Sequence, residues 1–142
     1  MKNIVCIFSD DFRHELGGKH SLIGIYGEIL NINGNQQVLP KLSATVYFHA
    51  DVSDMDGVNH LSINIKLNGN VIAKNELPEK YLKESIEKTK ENFGNIFSGV
   101  YNCNLLLVPI PEEHNTIEAE VMLNHEVAYV QKLTVNITKK QL

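Results

Sequence analysis

A chain of 142 residues, 43% hydrophobic and 21% charged, can bury roughly 70% of its unfolded surface without metal or disulfide staples. Its net charge of −4 argues against a nucleic-acid footprint, which is basic and clustered. No run approaches the ~20 apolar residues of a membrane span, and residues 4–8 are too short an apolar run for a secretory signal. One domain over residues 1–142 is expected, in the cytoplasm, with no membrane or nucleic-acid partner.

Residues 4–8 form a short apolar run that reads as a strand buried on both faces. Residues 21–30 read as a second such strand, with Gly24 and Gly27 inside it, and a glycine there marks a bulge or a close backbone approach. Residues 31–35, Asn-Ile-Asn-Gly-Asn, are turn chemistry. Leu39-Pro40 leads into a strand over residues 42–50, and residues 51–60 read as a polar loop. Residues 61–67 alternate apolar and polar, and Asn68-Gly69 is a strong hairpin signal before the returning strand, 71–77. Pro78 then opens a helix over residues 79–93, with Leu82, Ile86, Thr89 and Phe93 on one face. Glu79–Lys83 and Glu84–Lys88 are i,i+4 pairs in the favourable order. Residues 98–108, 116–123 and 126–137 are the last strands, with a turn at Asn124-His125 and an interruption expected near Gln131-Lys132. About eight strands with one inserted helix make a mostly β chain, read as an antiparallel β-sandwich, immunoglobulin-like or similar, with a small closed barrel as the alternative. Cys6 and Cys103 are expected as buried free thiols, and Lys139-Lys140 as a solvated end.

Three constellations contain residue types that do chemistry. The densest is Asp10-Asp11-Phe12-Arg13-His14-Glu15-Leu16-Gly17-Gly18-Lys19. Carboxylates beside a histidine can hold a metal or move a proton, and Arg13 can clamp an anion. The plainer reading is a strand connection with local ion pairs and glycines in unusual backbone conformations. The second, residues 49–60, contains Asp54-x-Asp56-Gly57 but lacks calcium-loop spacing and a closing glutamate. The third, Glu112-Glu113-His114, reads as a loop tip, where charge is ordinary. No nucleophile elbow, CxxC pair, HExxH or Walker loop occurs, so no cofactor, metal or catalytic residue is assigned.

Residues 11–26 follow the pattern D-x-R-x-E-x-G-G-K-x-S-L-I-G-x-Y. The stretch resembles the opening of a family of uncharacterised bacterial proteins. Leu39-Pro40 matches a Leu-Pro pair of that family. Asn124-His125-Glu126-Val127 is similar to its Asn/Asp-Gly-Glu-Val turn, with His125 in the glycine's place. The resemblance covers most of the chain and brings no reaction or ligand. It implies that Arg13, Glu15, Gly17, Gly18 and Lys19 form a shared structural or binding feature. The binding residues expected are Asp11, Arg13, Glu15 and Lys19.

Two functions follow as expectations. One is a non-enzymatic module that binds a protein or assembles with itself, because strands apolar on both faces need cover. The other is a small-ligand or metal-dependent enzyme using Asp10, Asp11, Arg13, His14 and Glu15, which requires those side chains to converge.

Overall fold

The computed structural model describes residues 2–35, 37–92 and 94–138. Its strands are β1 (Lys2–His14), β2 (His20–Ile25), β3 (Ile29–Asn33), β4 (Val38–Asp51), β5 (Leu61–Leu67), β6 (Asn70–Leu77), β7 (Ile96–Pro109), β8 (His114–Leu123) and β9 (Glu126–Thr138). Helix α1 (Glu79–Glu91) lies between β6 and β7, and a 3-10 turn, Val52–Met55, follows β4. Two sheets result, in the orders β2-β1-β4-β7 and β3-β9-β8-β5-β6. All pairings are antiparallel except β3 with β9, which are parallel. The fold is a β-sandwich.

The core lies between the sheets. The first sheet contributes Cys6, Phe8, Ala44, Val46, Phe48 and Phe97, and the second Ile63, Ile65, Ile117, Val121, Leu133 and Val135. Each large apolar side chain buried there adds about 1.5–3 kcal/mol. The outer face of the second sheet is polar, as strand alternation requires. Lys66 Nζ lies 2.6 Å from Glu120 Oε1, and Lys132 Nζ 3.9 Å from Glu118 Oε1.

Asn68-Gly69 turns the chain between β5 and β6, with φ of 49° and 86°. Asn124-His125 does the same between β8 and β9, with φ of 50° and 68°. Positive φ at both central residues matches the right-handed twist of the flanking strands. Helix α1 starts after Pro78, buries Leu82 and Ile86, and packs near the 3-10 turn, whose Met55 is buried. Glu79 pairs with Lys83 at 2.9 Å, whereas Glu84 meets Lys80 at 4.0 Å rather than Lys88. Phe93 and Lys139-Lys140 lie outside the described residues.

Several expectations change. Residues 4–8 belong to a 13-residue strand and alternate: Cys6 and Phe8 are buried, while Val5 is 50% exposed on the outer face. Residues 21–30 are not one strand. The chain leaves the first sheet after Ile25 and enters the second at Ile29, so two-sided burial does not arise. Asn31, Ile32 and Asn33 are strand, paired with β9, leaving Gly34-Asn35 as the turn. Nor is β9 interrupted at Gln131-Lys132, where its register with β8 runs on; the irregularity falls between Val121 and Met122. Met55 and Val58 are buried, so residues 51–60 are partly core rather than wholly solvated.

Candidate functional site

Only residues 15–19 of the charged segment form the turn. Asp10 to His14 continue β1, and Asp11 to His14 pair with β2, so the segment is the first half of a β-hairpin arm. Gly17 and Gly18 have φ of 77° and 73°, angles that side chains with a Cβ resist. Glu15 N–H closes the turn by donating to Lys19 O at 2.8 Å.

The arm folds back over its own sheet. Tyr47 lies opposite Val5, and His20 lies opposite His14. In a straight strand nine residues span about 30 Å, yet His20 Nε2 and the Tyr47 hydroxyl share a hydrogen bond of 2.7 Å. The chain must reverse between those points. The ladder shows where. Glu15 bonds Lys19 at the tip and Tyr26 N–H bonds Phe8 O at the base, so bonded pairs change from odd- to even-numbered residues. That inversion needs an irregularity. Gly24 provides it, with φ of 66° and the Asp10 side chain against its α-carbon.

Fold-back explains a burial pattern that alternation alone does not. Ser9, Ser43 and Thr45 share the outer face of the first sheet by register, yet are 0%, 1% and 0% exposed. The arm covers them. Phe12 stacks on His20 at 5.1 Å, and His20 lies against Tyr47 at 5.6 Å. Beneath, Ser43 Oγ donates to Asn102 Oδ1 at 2.6 Å, Thr45 Oγ1 donates to the same oxygen at 3.4 Å, and Asn102 Nδ2 donates to Asn104 Oδ1 at 3.0 Å. Buried hydroxyls need such partners. A cleft of about 260 Å³ remains at the arm's base, lined by Asp10, Asp11, Lys41, Leu42, Asn104 and the two leucines that follow it.

The expected binding residues lie on this arm without converging on one point. Arg13 Nε donates to Asp11 Oδ2 at 3.1 Å, and Ser21 Oγ donates to Glu15 Oε1 at 3.1 Å. Lys19 is exposed at the turn, with no ion-pair partner among the described residues. Asp10 accepts a hydrogen bond from the Tyr26 hydroxyl. Burial first, and then this bond, raise the Tyr26 pKa above the ordinary tyrosine value. His14 is exposed and packs edge-on against Phe12. Charge and glycine density mark Asp11, Arg13, Glu15 and Lys19 in sequence. His20, Tyr47, Tyr26 and the exposed Leu16 carry no such mark, because their roles arise from the fold-back.

The other two constellations are tied into the structure. In residues 49–60, Asp56 pairs with Lys90 at 2.9 Å, and Asn124 Nδ2 donates to Gly57 O at 2.8 Å. Asn115 exchanges two hydrogen bonds with the Glu112 backbone, and His114 Nδ1 lies 2.9 Å from Asn136 Oδ1. Among the described residues, no three His, Cys, Asp or Glu side chains are grouped to hold a metal ion, and no helix is long and apolar enough to cross a membrane. No protein-family model matches the chain, and no curated protein matches it.

Gly24→Ala tests the hinge. An added Cβ would lie 2.3 Å from Asp10 Oδ2, and left-handed backbone costs a residue with a side chain about 1–2 kcal/mol. The expected loss in chemical denaturation is about 2 kcal/mol, with Gly27→Ala nearly neutral as the control. Nothing lies within 4 Å of a Cβ at Gly27. Equal effects from the two variants would remove Gly24 as the hinge.

Proposed function

We propose that this protein is a non-enzymatic β-sandwich module that works by protein contact, made through the β1–β2 arm. One observation carries the reading: the arm holds Leu16 at its tip at 95% exposure, between Arg13 and Lys19 in the chain, and Ile25 at its base, opposite Ser9, at 61%. Exposed apolar side chains rimmed by charge are what a protein interface presents. The local pairing of Asp11 with Arg13 and of Glu15 with Ser21 favours recognition over catalysis, since acid–base chemistry needs its groups aimed at one reacting atom. The shared feature implied by the resemblance, Arg13 to Lys19, falls within this arm. A cytoplasmic setting belongs to the same reading, supported by two free thiols.

The enzyme alternative rests on the cleft that Asp10, Asp11 and Lys41 line. A photo-crosslinking residue separates the two. Placed at position 16, it is expected to join the chain to protein, while the same probe at Lys132, exposed on the other sheet, labels little. Equal labelling from both positions overturns the reading. A thermal-shift response to small anions or divalent metals, lost in Asp10→Asn, supports the alternative instead.

A further inference from the structure

We propose that the partner met by the arm is a second copy of this chain, joined by antiparallel pairing of β2 with the β2 of the other copy. This rests on the protein-contact reading above and names its occupant. Strand β2 pairs with β1 on one side only and is the edge of its sheet. The bond from Glu15 N–H to Lys19 O fixes the phase of the arm. Odd-numbered residues, Ser21 and Ile23, direct their backbone groups at β1. His20 and Leu22 therefore direct theirs outward. Two N–H and two C=O groups stand on that edge, and a row of such groups is satisfied by another strand.

The edge is also unguarded. Natural edges are blunted by lysine, proline or inward charge. Strand β6, an edge of the other sheet, carries Lys74 and Glu76, and the edge of β7 is touched by Asn75 Nδ2, which donates to Asn102 O at 2.9 Å. Residues 20–25, His-Ser-Leu-Ile-Gly-Ile, carry neither a proline nor an acidic or lysine side chain.

The strand is self-complementary in one register. A two-fold axis at Ser21 sets His20 opposite Leu22 of the other copy, and Leu22 opposite its His20. All four outward backbone groups are then bonded. Lys19 falls opposite Ile23 of the other copy, where its methylene stem can cover that side chain. Gly18 falls opposite Gly24, so neither Cβ obstructs the approach. The tip then reaches the far end of the other β2, and Leu16 is brought toward the exposed Ile25. One operation thus brings the tip of each arm beside the exposed base of the other. It closes on itself as a dimer and does not propagate.

Ser21→Cys tests the register, because the two-fold places this residue against itself in a non-bonded pair, with Cβ atoms about 4.5–5.5 Å apart. Mild oxidation is expected to link Ser21→Cys chains roughly ten-fold or more faster than Ser85→Cys chains, since pairing raises the effective concentration. Ser85 is exposed on α1. Adding Leu16→Lys is expected to abolish the difference, and light scattering of the unmodified protein is expected to read a dimer at high micromolar concentration. A monomer with no rapid link at position 21 overturns the proposal. If the probe at position 16 then still captures a different protein, the contact reading stands and only the second copy is lost. If it captures nothing, both fall. A dimer by scattering whose Ser21→Cys form links no faster than Ser85→Cys overturns this pairing in favour of another surface.

Discussion

Phe48→Ala is expected to cost about 3–5 kcal/mol, the usual penalty for emptying a buried aromatic site. Phe48 is 2% exposed and meets Phe97 edge-on at 5.9 Å. Its strand, β4, lies between β1 and β7, so a cavity there loosens both neighbours and removes packing against the second sheet. Phe48→Leu retains most of the volume and is expected to cost less than about 1.5 kcal/mol. His49 is the internal control. It sits next in the chain, on the opposite face, exposed and bonded to Ser98 at 2.9 Å. Its change to Ala is expected to stay within about 0.5 kcal/mol. Urea denaturation with an unchanged m-value measures all three. A Phe48→Ala loss below about 1 kcal/mol would mean that the sheets do not close on this residue.

The contrast between Phe48 and His49 also shows what a sequence can reveal about such a fold. Residues 61–67 and 116–123 alternate because one face of the second sheet meets water, so Ile63, Ile65, Ile117 and Val121 could be assigned to the core from sequence. Asn68-Gly69 and Asn124-His125 could be read as turns because their chemistry is local. Sheet membership could not. Strand β3 pairs with β9, about a hundred positions later in the chain, and no local pattern records that partner. Ser9, Ser43 and Thr45 look solvent-facing by periodicity, yet the arm buries them. The link that exposes this, His20 to Tyr47, spans 27 positions. The charged segment was legible as a place of constraint, because Gly17, Gly18 and Gly24 carry angles that few residues tolerate. Its pairing was not, since Arg13 could meet any of the nearby carboxylates and only the strand geometry selects Asp11.

Stability is expected to fall steeply as pH rises from about 9 toward 12, and the cause lies in the same core. Burial, aided by neighbouring Cys103, pushes the Cys6 thiol up from 9.0 to about 12. Burial also raises Cys103 and Tyr101, and burial followed by the bond to Asp10 raises Tyr26. Each group releases its proton more readily unfolded than folded. Below pH 9 both states hold these protons, and stability is whole. Above it the unfolded chain gives them up first, so the folded state loses ground until the folded pKa is passed. A three-unit rise makes Cys6 alone worth about 4 kcal/mol at pH 12, a large share of the 5–15 kcal/mol typical of a domain. The thiols cannot escape by joining. Cys6 on β1 and Cys103 on β7 have β4 between them, about 9–10 Å of sheet, beyond a disulfide's reach. The double variant Cys6→Ala with Cys103→Ala is therefore expected to start about 1–2 kcal/mol less stable at pH 7 and to decline more gently, so that the two stability curves converge above pH 10. Denaturant melts across the pH series, with thiol labelling at pH 8 as a check, decide it. Labelling of the folded protein should be limited by unfolding. Rapid labelling at pH 8, or two curves that stay parallel to pH 11, would show that these thiols are not held protonated by the core.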